Sequence, residues 1–156
     1  YSGMLPLVNT GGKSFHYVFA TSKSDSAVDP LVLWLTGGPG CSSMNAFNYE
    51  NGPYYFPEGE KYLVKNEYSW NNYANMLWLE SPPGVGFRVY GDKKNSKTDD
   101  TQTAKDNLAG LLQFFTEYPE YKQNGFYIAG ESYAGVYVPF LAKNVQAYNV
   151  GKSTAD

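Results

Sequence analysis

The chain has a single cysteine (Cys41), a single histidine (His16) and a single arginine (Arg88) among 156 residues. One cysteine closes no disulfide within the chain, so the redox compartment stays open. One histidine excludes any metal site built on two imidazoles. Histidine-dependent chemistry must therefore use His16 or a histidine supplied from elsewhere. Twelve basic residues stand against fifteen acidic ones, a formal net charge of −3, which leaves no electrostatic footprint for nucleic acid. No apolar run approaches the roughly 20 residues that span a bilayer. No basic-then-apolar leader opens the chain, and its first residue is Tyr1, which fits a processed chain or a start inside a longer one. Charged residues make up only 17%, too few for a disordered or polyelectrolyte protein.

What is present suits one folded domain: 42% of residues are hydrophobic and 17% aromatic, with 15 tyrosines. At this length a single domain is the expectation. The aromatic, β-branched stretch Lys13–Ser22 predicts a strand, and the polar run that follows, ending in Pro30, predicts a hairpin connection. Two short apolar runs, Leu31–Leu35 (LVLWL) and Met76–Leu79 (MLWL), have the pattern of strands buried on both faces. Each is broken at once by glycine and proline. Asn45–Lys65 is aromatic and turn-rich, and residues 91–100 form the most solvated run, expected to be an exposed loop. A helix is expected from about Asp100 or Thr101, either of which could cap it, to Pro119. Its buried face would carry Ala104, Leu108, Leu111, Leu112 and Phe115. Phe126–Gly130 (FYIAG) predicts a third buried strand, followed by a helix over about Gly135–Tyr148. Short apolar strands joined by helices imply an α/β architecture with a mainly parallel sheet, an N-terminal hairpin and flanking helices.

The chemistry-bearing motif is Gly130-Glu131-Ser132-Tyr133-Ala134-Gly135, where a strand turns abruptly into a helix. Such a turn pushes the serine hydroxyl out of the backbone with a helix N-terminus behind it. The strict pattern is G-x-S-x-G, and Ala134 departs from it. Taken alone, the motif is equally well read as a strand-to-helix turn with a capping serine. The second motif, Gly37-Gly38-Pro39-Gly40, follows the LVLWL strand directly. A glycine loop there can offer a bare amide to a developing oxyanion, paired with the amide after the nucleophile. Those donors would be Gly38 and Tyr133.

With both motifs in place, the sequence resembles the N-terminal part of the serine carboxypeptidases, a branch of the α/β-hydrolases. The segments that carry the resemblance are YSGML at 1–5, LVLWLTGGPGCSS at 31–43, ENGP at 50–53, YSWNNYANMLWLESPPGVGF at 68–87 and NGFYIAGESYAGVYVPFLA at 124–142. The resemblance implies Ser132 as the nucleophile of an acyl-enzyme, with the Gly38 and Tyr133 amides as its oxyanion hole. It implies that Glu50, Glu131 and the Gly37 amide hold the C-terminal carboxylate of a peptide substrate, with Trp34 supporting them. It also implies that Cys41 pairs with a cysteine far downstream. Two carboxyls beside a substrate carboxylate cannot all stay ionised. One should be protonated and donate a hydrogen bond, so the complete enzyme is expected to work best at acidic pH. No metal or organic cofactor is implied. The aromatic stretch 45–56 is expected to contribute to the substrate cleft.

Two departures qualify that picture. Thr36 stands where peptidases of this family carry Asn, and it offers one shorter donor to the carboxylate. Threonine there is similar to plant acyltransferase-like members, which makes acyl transfer the alternative activity. The family's Asp and His follow the nucleophile along the chain, whereas the 24 residues after Ser132 contain one Asp (Asp156) and no His. His16 reads as a strand residue, not a base. The expectation is an incomplete α/β-hydrolase fold: residues 1–156 form the N-terminal part of the domain and are nearly inert alone. A second chain or downstream segment would supply Asp and His, and the FYIAG strand would be left as an apolar edge. A catalytically inactive binding or structural protein is the alternative from another class. The resemblance suggests a lysosomal, vacuolar or secreted setting, although the chain contains no N-x-S/T site.

Overall fold

The computed structural model describes residues 1–8, 10–87 and 97–152. Arg88, Asp156 and most of the solvated run at 91–100 lie outside the described residues. Among the described residues, seven strands and three α-helices follow one another as β1 (Ser2–Pro6), β2 (Ser14–Ala20), β3 (Leu31–Leu35), α1 (Met44–Tyr49), β4 (Tyr54–Tyr55), β5 (Val64–Lys65), β6 (Asn75–Leu79), α2 (Asp100–Glu117), β7 (Phe126–Gly130) and α3 (Ala134–Asn149). Short 3-10 turns lie at Trp70–Asn72 and Pro119–Gln123.

The main sheet has the order β1-β2-β6-β3-β7. β6, β3 and β7 pair in parallel, whereas β2 is antiparallel to both β1 and β6. Four of the five strands therefore run the same way, with β2 alone reversed. Strand pleating sends alternate side chains to opposite faces, and the two faces have separate cores. Leu5, Phe15, Phe19, Leu31, Leu33, Leu77 and Leu79 face α2 and α3, while Trp34, Met76 and Trp78 face α1. The runs LVLWL and MLWL are apolar throughout because both of their faces are covered.

Several expectations change in detail. The N-terminal hairpin exists, but it joins β1 to β2, with Gly3 opposite Tyr17 and Leu5 opposite Phe15. The polar stretch ending in Pro30 is instead a crossover, because β6 lies between β2 and β3. Asn75 straps that crossover down, donating to the carbonyls of Ser26 and Asp29 at 3.1 and 3.0 Å and accepting from the Ser22 amide at 2.9 Å. Helix α2 is capped by Asp99, which accepts from the Gln102 amide at 2.8 Å. Its inward face is broader than the expected one: Ala104 and Leu111 are buried as expected and Leu108 and Phe115 pack against the core, but Asp106, Asn107, Gly110 and Phe114 are buried as well. The two polar residues are inside because Lys13 bonds Asp106 at 2.8 Å and the Ser81 hydroxyl donates to Asn107 at 2.6 Å. β7 is only half-buried, with Tyr127 62% exposed, because among the described residues it pairs on one side only, with β3.

Candidate active site

β3 and β7 are adjacent and parallel, so their C-terminal ends, and the loops that follow, emerge side by side. Trp34 lies opposite Ala129 and Leu35 opposite Gly130. At the end of β7 the backbone turns sharply. Ser132 has φ of 55°, the one non-glycine residue with positive φ among those described. Such a conformation costs about 1–3 kcal/mol and persists only where its surroundings enforce it. Here the enforcement comes from α3, whose first turn closes through Ala134 N–H to the Glu131 carbonyl at 2.9 Å and Gly135 N–H to the Ser132 carbonyl at 3.0 Å. A Cβ at Gly130 would overlap the Leu35 carbonyl oxygen and lie 2.6 Å from the Ala134 Cβ. Position 130 thus demands glycine, while Ala134 is accommodated and fully buried. The Ser132 residue is exposed, and its hydroxyl has no hydrogen-bond partner among the described residues.

The glycine loop after β3 is pressed against this turn. A Cβ built on Gly37 would sit 2.9 Å from the Glu131 carbonyl oxygen and 3.0 Å from the Ser132 Cβ, and closer still to the Tyr133 amide nitrogen. Gly38 has φ of 111°, which favours glycine, and the Cys41 amide closes the loop onto the Gly37 carbonyl at 3.0 Å. The amides of Gly38 and Tyr133 donate to no acceptor among the described residues. Two unpaired donors thus lie on the two segments that meet at the serine. The Tyr133 side chain is anchored away from the serine, its hydroxyl donating to both carboxylate oxygens of Asp100 at 3.1 Å. That bond, more than burial, raises the Tyr133 pKa.

The acidic residues converge on the same end of the sheet. Glu50 follows the last turn of α1, its amide donating to the Ala46 carbonyl at 3.0 Å. Partial burial first, and then the negative charge of Glu131, raise the Glu50 pKa above the ordinary glutamate value. Thr36 is buried, its amide donating to the Ser43 hydroxyl at 3.2 Å and its own hydroxyl accepting from the Trp34 indole at 3.1 Å. Trp34 packs edge-on against Trp70 at 5.1 Å.

His16 lies elsewhere. It sits in β2, with Nδ1 at 2.9 Å from a Glu80 carboxylate oxygen and Nε2 at 3.0 Å from the Ser2 hydroxyl. Cys41 is an exposed free thiol. Among the described residues no group of three or more His, Cys, Asp or Glu side chains could hold a metal ion. Sequence reasoning gave Asp100 only as a possible helix cap, a place taken by Asp99, and gave Ser43 no role. Ser43 could have been suspected from its place just beyond the glycine loop, but Asp100 carries no local signal.

The profile of the serine carboxypeptidase family matches residues 1–155. The chain belongs to the serine carboxypeptidase family. Among curated relatives, serine carboxypeptidase-like 21 of Arabidopsis thaliana is 47% identical over 148 residues, covering 93% of this chain and 30% of that protein. The lysosomal protective protein of Mus musculus is 44% identical over 163 residues, covering 99% of this chain and 34% of that protein. Among solved structures, KEX1(delta)p, a prohormone-processing carboxypeptidase from Saccharomyces cerevisiae, superposes with a TM-score of 0.83 at 30% identity over 98% of this chain and 35% of that one. This serine carboxypeptidase chain thus spans about a third of the length of the relatives it matches. The α/β-hydrolase sheet expected from the sequence is the one that it shares with KEX1(delta)p.

Proposed function

We propose that Ser132 is the nucleophile of a carboxypeptidase that releases C-terminal amino acids through an acyl-enzyme. The observation that supports this reading is the close approach of Gly37 to the Glu131–Tyr133 backbone, which sets the glycine loop that carries the unpaired Gly38 amide against the turn that carries Ser132 and the Tyr133 amide. The Ser132 oxygen attacks the last peptide carbonyl and passes its proton to a histidine. The negative oxygen that forms is held by the Gly38 and Tyr133 amides. Collapse of this intermediate breaks the C–N bond, and the departing amine takes the proton back. Water then cleaves the ester by the same route. The histidine and its aspartate come from a segment beyond residues 1–156, whose strands extend the sheet from the open edge of β7. The length of the relatives and the exposed Tyr127 support that arrangement.

Glu50, Glu131, the Gly37 amide and the Thr36 hydroxyl hold the terminal carboxylate of the substrate. The raised pKa of Glu50 supports a protonated carboxyl there, able to donate to an anion. The decisive experiment uses the complete polypeptide and one peptide in two forms, with a free and with an amidated C-terminus. Release of the terminal residue from the free acid alone, faster at pH 5 than at pH 8, is expected. Equal cleavage of both forms, or a rate rising steadily with pH, would overturn the carboxylate assignment.

One observation favours a second reading. The Thr36 hydroxyl accepts from Trp34 and has a single proton to give, so carboxylate recognition is weaker than an Asn amide would provide. Acyl transfer from an activated ester to an alcohol is the corresponding activity. Comparing peptide hydrolysis with such transfer separates the two, while an inactive binding protein would do neither. The name of the mouse relative supports a lysosomal setting, and no described helix is long and apolar enough to cross a membrane.

A further inference from the structure

The peptidase reading uses the glycine loop but leaves open what holds that loop at the right height beside Ser132. The loop leaves β3 at Thr36 and returns through Ser42 and Ser43 into α1, and both serines are tied to the end of β6. The Ser43 hydroxyl donates to the Leu79 carbonyl at 2.7 Å and accepts from the Thr36 amide at 3.2 Å. It therefore joins both ends of the loop to one strand. The Ser42 hydroxyl donates to the Glu80 carboxylate and accepts from the Met44 amide at 3.1 Å. Ser42 stands only four residues past Gly38.

Glu80 is the unusual member. Its residue is 1% exposed, and a buried carboxylate is costly unless donors surround it. Three do: the Ser42 hydroxyl, the Phe87 amide at 2.8 Å and His16, whose Nδ1 lies 2.9 Å away. The His16 ring is itself fixed, with Nε2 at 3.0 Å from the Ser2 hydroxyl and its edge against Phe87 at 5.2 Å between ring centroids. The one histidine of the chain is thereby bound to a carboxylate whose other oxygen grips the exit of the glycine loop.

We propose that Glu80, acting through Ser42 and oriented by His16, is a positioning residue for the Gly38 oxyanion donor. This rests on the proposed role of Ser132 and Gly38. A buried carboxylate fixed from three directions holds the loop in one place, and an oxyanion donor displaced by about 1 Å loses a large part of its effect. His16 thereby has a role that does not require it to act as the catalytic base.

The test uses the complete enzyme and a fluorophosphonate, which forms a bond to an activated serine and expels fluoride, so its rate reports the nucleophile and oxyanion hole without a peptide. Ser42→Ala and Glu80→Gln are each expected to slow modification of Ser132 about 10–100-fold, with the KM for a peptide within about twofold of wild type. Ser42→Thr, which keeps the hydroxyl, should recover most of the rate. The double variant should be little slower than the worse single one, because the two residues act as one unit. If Glu80→Gln fails to fold, the Ser42 pair carries the test alone. A folded Ser42→Ala variant modified at the wild-type rate would overturn the positioning role while leaving Ser132 as nucleophile. Modification mapping to Ser2 would also overturn it, since His16 would then be acting as a base. A wild-type enzyme left unmodified at Ser132 would remove the nucleophile assignment itself, and the positioning role with it.

Discussion

Replacing Gly37 by alanine inserts one methyl group where the glycine loop meets the serine turn. That Cβ would stand 2.9 Å from the Glu131 carbonyl oxygen, 3.0 Å from the Ser132 Cβ and closer still to the Tyr133 nitrogen. Ordinary non-bonded contacts are about 3.5–4.0 Å, so the closest contact alone forces loop and turn apart by about 1 Å or more. Two of the three atoms are backbone and cannot rotate away. Overpacking of this kind costs about 1–3 kcal/mol of stability. The separation also pulls the Gly38 amide from the Tyr133 amide, and misplacement on this scale lowers the rate by about 10²-fold. Acylation of the complete enzyme by an activated ester, followed by stopped flow beside a urea unfolding curve, reads both effects. The expected result is a fall of about 10²-fold in acylation rate in an enzyme that remains folded. A folded Gly37→Ala enzyme acylating within twofold of wild type would refute the contact as the organising feature of the site.

Three further outcomes follow from the same geometry. Glu50 has its pKa raised above the ordinary value of 4.5, so the folded state holds its proton to higher pH than the unfolded chain. The stability this contributes is present at low pH and lost as pH rises through the raised value. Glu50→Gln should therefore gain in Tm relative to wild type between pH 4 and pH 7, and an unchanged difference would contradict the assignment. Trp34→Phe removes the indole donor to Thr36, seen at 3.1 Å, and some buried volume. It should lower stability by about 2 kcal/mol and raise KM for a free-acid peptide more than it lowers kcat. Asp99→Ala should lose the α2 cap, seen as a 2.8 Å bond to the Gln102 amide. Chemical unfolding should show a loss of about 1 kcal/mol, with the rate of Ser132 acylation unchanged.

The parts of the fold that were legible beforehand are those whose signal is local. LVLWL and MLWL are apolar at every position because both faces of a central strand are covered. The turn at Ser132 was legible because a short strand, a small-residue motif and a helix follow one another within a few residues. β1 was missed since Gly3 and Pro6 interrupt its pattern and its pairing with β2 is what makes it a strand. The run ending in Pro30 looked like a hairpin because nothing local announces that β6, more than forty residues later, will insert between β2 and β3. The wider inward face of α2 has the same origin: Asp106 and Asn107 join Ala104 and Leu111 inside because Lys13 and Ser81 meet them there. Within the candidate site, the glycine loop and nucleophile motif could be read in advance. The Glu80 network could not, for it joins His16, Ser42 and Phe87 from three separate segments.

The most direct measurement is a crystal structure of the complete enzyme with a phosphonate bound to Ser132. Its phosphoryl oxygen stands for the negative oxygen of the tetrahedral intermediate. The account predicts that oxygen within about 3 Å of both the Gly38 and Tyr133 amide nitrogens, with a histidine from beyond residue 156 against the Ser132 oxygen. A phosphoryl oxygen turned to solvent, with the two amides unoccupied, would contradict it.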